Sequence, residues 1–106
     1  MSDLIAELKA RLEDDPCDEG ALERLVAAAC AEGDWSLARE ALTQWSEVTS
    51  DEHTIVRLLL RSAKIAEERL GDLDAAEDAY RQVLELNPSA EDAARAVVRI
   101  RQLRGG

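Results

Sequence analysis

The chain has 106 residues, 46% apolar and 34% charged, with a formal net charge of −10. That is the size and composition of one compact soluble domain burying on the order of 60–70% of its unfolded surface. No apolar run nears the ~20 residues of a membrane span, the start MSDLIAELKARLEDD has neither the basic opening nor the apolar core of a secretory signal, and the acidic balance repels phosphate backbones, so we expect a cytoplasmic protein with no membrane insertion and no nucleic-acid partner.

Phe is absent and only one Tyr and two Trp occur, so helix formers outweigh the residues strands prefer and an all-α fold is expected. Six helices follow in chain order. Ser2 is placed to cap the first, Asp3 to Glu13, whose apolar positions Leu4, Ile5, Leu8 and Leu12 share one face, with Pro16 beyond its end. Asp18 caps a second, short helix with a stripe of Leu22, Leu25, Val26, Ala29 and Cys30, and Gly33 ends it. Asp34 starts the third, with Trp35, Leu37, Ala38, Ala41, Leu42, Trp45 and Val48 inward. Thr49 and Glu52 read as a capping box that restarts the chain as a fourth, longest helix carrying Ile55, Val56, Leu59, Leu60, Ala63, Ile65, Ala66 and Leu70 up to Gly71. Asp72 caps the fifth, with Leu73, Ala76, Ala79, Tyr80, Val83, Leu84 and Leu86 inward, and Asn87-Pro88 stops it. Ser89 is expected to cap the sixth, with Ala93, Ala94, Ala96, Val97, Ile100 and Leu103 apolar before Gly105 and Gly106. Connections of two to six residues make each helix antiparallel to the next.

Charge is uneven along the chain. Residues 1–56 hold fourteen acidic side chains against Lys9, Arg11, Arg24 and Arg39, whereas residues 91–106 reach +2 through Arg95, Arg99, Arg101 and Arg104. An end-to-end dipole is expected. Arg outnumbers Lys eleven to two and Asn occurs once, a usage that points to a G- and C-rich, bacterial genome.

The sequence repeats. Residues 19–52 and 57–90 register without a gap when Gly33 is laid on Gly71, which aligns Asp34 with Asp72, Ala38 with Ala76 and Leu42 with Tyr80. In the second copy Leu60, Ala63, Gly71, Asp72, Ala76, Tyr80, Leu84 and Pro88 stand in the pattern of a 34-residue helix-turn-helix unit, and the segment resembles a tetratricopeptide repeat. The first copy is divergent: it lacks the closing proline and carries Trp45 where the family prefers alanine, and four extra residues, His53 to Val56, lengthen the first helix of the second copy. Val26 and Lys64 occupy the first-helix site where the family usually places glycine or alanine. The resemblance implies one domain over 1–106: an N-terminal helix (1–16) like the second half of a preceding repeat, two repeats, and a capping helix (91–104), stacked as a short right-handed solenoid. Each helical pair has two apolar faces, so neighbours must stack.

No catalytic group is evident. His53, the only histidine, sits in a first helical turn without a positioned partner, and Cys17 and Cys30 lack a basic neighbourhood or metal-ligand spacing. The loop DDPCDEG fails the calcium-loop template, which would place Cys17 and Val26 at ligand positions. The glycines at 33 and 71 are isolated, so no phosphate loop exists, and the terminal LRGG is a helix stop rather than a conjugation tail. No enzyme, metal or cofactor is expected.

The resemblance implies instead a groove lined by the first helices of successive units, holding a protein or peptide, with the residues at helical spacing here being Leu58, Arg61, Ile65 and Arg69 on the fourth helix and Arg95 and Arg99 on the sixth. The arginines suit carboxylates of an acidic ligand, and Leu58 and Ile65 an apolar anchor. The family's lysine-and-asparagine clamp for chaperone tails is not matched. The expected function is a non-catalytic adaptor or scaffold; the alternative is a self-assembling homo-oligomer in which the acidic front of one copy meets the basic back of another.

Overall fold

The computed structural model describes residues 3–105, and among them every regular element is helical. The elements are α1 (Asp3–Asp14), α2 (Glu19–Glu32), α3 (Trp35–Val48), α4 (Glu52–Ile65) continued by a π-helical turn (Ala66–Leu70), α5 (Leu73–Leu86) and α6 (Glu91–Gly105). Consecutive helices pack against one another in pairs, a helical-repeat arrangement. The body measures 44 × 29 × 16 Å with a radius of gyration of 14.4 Å, longer than the ~13 Å of a sphere-like domain this size.

Local chemistry sets most boundaries. Asp18, Asp34 and Asp72 each accept a hydrogen bond from the backbone amide three residues on, at 3.1, 3.2 and 3.0 Å, which satisfies one of the donors a helix start leaves open. Gly33 and Gly71 adopt left-handed φ of +74° and +65° and end α2 and the π turn, a conformation costly for any residue with a Cβ. Helix α2 is not short: at fourteen residues it equals α3 and α5.

Two caps differ from expectation. Asp51, not Thr49, caps α4, accepting from the Thr54 amide and hydroxyl, and the hydroxyl bond holds its carboxyl below the ordinary carboxylate range. Thr49 instead accepts from the Asp51 amide and braces the link. Ser89 donates its amide to the Asn87 side chain inside the turn, and the first bond of α6 runs from the Ala94 amide to the Ala90 carbonyl, so Ala90 opens that helix. In both places an acceptor one or two residues away competes for the same role. The Ser2 cap lies outside the described residues.

The interior forms two apolar clusters that share α4 as a wall. Leu8, Leu12, Leu22, Leu25, Val26, Leu37 and Leu42 fill the first, joined from α4 by Leu58 and Ile65. Leu59, Ala63 and Ala66 of α4 and its π turn face the other way, onto Ala76, Tyr80, Val83, Ala96, Val97 and Ile100. Burying each such aliphatic side chain is worth roughly 1.5–3 kcal/mol, and α4, apolar on both sides, can bury itself only between two neighbours.

The π turn breaks the gapless repeat. In α2 the buried stripe is Ala21, Leu22, Leu25, Val26 and Ala29; in α4 and the π turn it includes Leu58, Leu59, Ser62, Ala63 and Ala66. The spacing is the same but the offset is 37, whereas α3 and α5 keep the offset of 38 set by the glycines, as Ala38, Ala41 and Leu42 match Ala76, Ala79 and Tyr80. The extra residue is taken up by the wider turn: the Gly71 amide reaches back five residues to the Ala66 carbonyl, and the Asp72 amide reaches the same atom at 2.8 Å, where Asp34 reaches five back to Ala29 at 2.9 Å. A single-residue insertion in a helix is accommodated as such a bulge. Val26 therefore corresponds to Ala63, not to Lys64.

Candidate functional site: the cleft between α4 and α6

Helices α4 and α6 both pack on α5 and leave a cleft of about 340 Å³ between them, lined by Leu60, Lys64, Glu67 and Glu68 on one side, Asp92, Arg95, Ala96 and Arg99 on the other, with Tyr80 of α5 also lining it. Two-residue and four-residue links join α4, α5 and α6, too short to let a helix continue in the same direction, so α4 and α6 run parallel. Side-chain pairs show α5 and α6 antiparallel, because Tyr80 of α5 lies level with Glu67, the partner of Arg99, while Glu77, one turn earlier, meets Arg104, further along α6.

One polar cluster spans the cleft. Arg99 donates from Nε to Glu67 Oε2 at 2.9 Å and from Nη2 to both carboxylate oxygens at 2.7 Å, and the Tyr80 hydroxyl donates to Glu67 Oε1 at 3.2 Å. The Glu67 side chain is 12% exposed and that of Arg99 52%, so the carboxylate is held from inside and the guanidinium reaches in from the rim. Burial, reinforced by the Glu67 charge and hydrogen bond, pushes the Tyr80 hydroxyl up to about 12, and the same carboxylate raises Arg99 above its ordinary value.

The six groove residues expected from sequence divide. Arg95 and Arg99 line the cleft together. Leu58 and Ile65 do not: at 4% and 9% exposure they belong to the α1–α2–α3 core and offer no anchor to a ligand. Arg61 is exposed but outside the cleft lining, and Arg69 lies over the Trp35 ring at 4.7 Å, a cation-π contact that ties the π turn to α3. The one-residue slip accounts for the misassignment. Shifting the expected positions 61, 65 and 69 back by one gives Leu60, Lys64 and Glu68, all of which line the cleft, whereas 58 shifts to Arg57, which does not. Aligning the apolar stripes of the two first helices, rather than their terminal glycines, would have found them.

The basic end is also less free than its charge suggests. Arg99 is taken by Glu67, Arg101 lies 3.5 Å from Glu77, Arg104 bridges Glu77 and Asp74, and Arg95 has Glu91 at 3.6 Å one turn away. Arg104 is also held by the buried Glu77, so Arg95 is the one of these four whose carboxylate partner is wholly exposed, where an ion pair contributes little and yields readily. Lys64 has no carboxylate within ion-pair distance among the described residues.

Among the described residues no group of three or more His, Cys, Asp or Glu is arranged to hold a metal ion, and no helix is long and apolar enough to cross a membrane. Cys17 is exposed and Cys30 half-buried, both as free thiols. No family model matches the chain, and no curated protein matches it in sequence.

Proposed function

We propose that the chain is a non-catalytic, tetratricopeptide-like adaptor of the cytoplasm that holds a segment of another protein in the α4–α6 cleft. The observation that carries this reading is the cleft itself: parallel helices kept apart by a third, with the half-buried Leu60 giving apolar surface, the buried Ala96 and Tyr80 forming the floor, and charged side chains of both signs around it. An open trough of this make-up suits an extended or helical peptide, with burial supplying affinity and the charged side chains selecting sequence. The test fills the trough. Leu60→Arg and Lys64→Trp, at half-buried and exposed positions of the lining, should each remove the proteins that the full wild-type chain retains from a cell extract, scored by quantitative mass spectrometry; retention unchanged by both substitutions would count against the cleft as the binding site.

A second reading is self-assembly, favoured by Val98 and Leu103 of α6, which are 55% and 65% exposed. Here an apolar contact at α6 joins the attraction between the acidic first half of one copy and the basic end of another. Its signature is a mass that grows with concentration and shrinks with salt.

A further inference from the structure

The register of the cleft assigns its parts more finely, on the reading that a polypeptide occupies it. The Glu67–Arg99 pair fixes which residues of α4 and α6 stand level. One helical turn back from that pair lie Lys64 on α4 and Arg95 with Ala96 on α6; a further turn back lie Leu60 and Asp92. Two cations thus stand on opposite helices at the middle level, Lys64 without an ion-pair partner among the described residues and Arg95 with only the exposed contact to Glu91. Arg99, which the sequence pattern offers first as the anion binder, is already occupied by an internal carboxylate. At the lower level the half-buried Leu60 supplies apolar surface.

We propose that Lys64 and Arg95 together receive one acidic side chain of the bound polypeptide, an aspartate or glutamate, while an apolar side chain about one turn or two extended residues away rests on Leu60. Two like charges on opposite helices repel when the cleft is empty, and an anion between them relieves that repulsion as well as forming charge-assisted hydrogen bonds. Glu68 and Asp92, at the two ends of the same lining, repel further acids, so the cleft selects a single acidic residue next to an apolar one and rejects an acidic run. Glu67 is a positioning residue: by holding Arg99 it fixes the level of the two helices and leaves the recognition charge to Lys64 and Arg95.

The experiment is a selection from a random twelve-residue peptide library displayed on phage, run in parallel on the full wild-type chain and on the Lys64→Glu/Arg95→Glu variant. Both positions are exposed, and circular dichroism checks that the variant is folded; Arg95→Glu alone serves if the double variant is not. The wild type should enrich one Asp or Glu at a fixed spacing from an apolar residue, and the variant Lys or Arg at that spacing with the apolar preference kept. A wild-type-selected peptide carrying fluorescein should bind the variant at least tenfold more weakly by anisotropy. Enrichment of the same peptides by both proteins overturns this assignment and leaves the adaptor reading standing; enrichment by neither overturns both.

Discussion

Glu67 and Arg99, 32 residues apart in sequence, are joined by three hydrogen bonds of 2.7–2.9 Å and tie the end of the α4 helix to α6, although both helices pack far more on α5 than on each other. The pair sits where the chain is widest in turn, in the π segment, and its carboxylate is the more buried partner. Removing the arginine therefore strands a mostly buried charge, whereas neutralising the carboxylate does not. Arg99→Met should cost about 2–3 kcal/mol and Glu67→Gln about half of that, compared by urea denaturation at pH 7; equal costs would mean the carboxylate is as well solvated as the guanidinium.

The same cluster sets a pH dependence. The Tyr80 hydroxyl titrates near 12 in the fold against 10 when unfolded, so its contribution is fully present below pH 10 and is lost as pH rises to 12, at about 1.4 kcal/mol per unit within that window. Ultraviolet titration of tyrosinate, undiluted because Tyr80 is the single tyrosine, should give a midpoint near 12 for the native chain and a lower one for Glu67→Gln. A native midpoint at 10 would place the hydroxyl in water.

Gly33 and Gly71 share positive φ and have no atom within 4 Å of where a Cβ would stand. Alanine at either site meets conformational cost without collision, so each substitution should destabilise by about 1–2 kcal/mol, read as a drop of several degrees in Tm, with similar values at the two sites. A much larger loss at one of them would reveal a steric constraint there.

Deleting Glu68, an exposed residue of the π turn, should let that turn close to an ordinary helical one and leave the chain folded, because the turn holds one residue more than its counterpart in α2 needs. Deleting Ala79, inside the regular and buried face of α5, should rotate every following side chain by about 100° and abolish cooperative unfolding. Circular dichroism melts of the two deletions check this; equal damage would show that the wide turn is required for packing.

Much of the fold was legible in the sequence because its determinants are local. Asp18, Asp34 and Asp72 cap, Gly33 and Gly71 terminate, and the apolar spacing of each helix marks its inner face; each of these acts within four residues along the chain. The caps at 51 and 90 were missed by one or two residues because neighbouring Thr, Asp, Asn and Ser compete for the same amides.

The cleft needed the third dimension. Whether α4 absorbs its extra residue at Ala66–Leu70 or elsewhere is decided by which stripe fits between α3 and α5, and a slip of one position turns a helix by about 100°. That rotation buried Leu58 and Ile65, brought Leu60, Lys64 and Glu67 to the cleft, and let Glu67 take Arg99 from any ligand. The sequence by itself determined six amphipathic helices, their order and most of their ends, since those follow from short-range hydrogen bonding and periodicity. Only the tertiary packing decided which face of α4 meets which neighbour, and therefore which charges are spent inside the molecule and which stand at the opening.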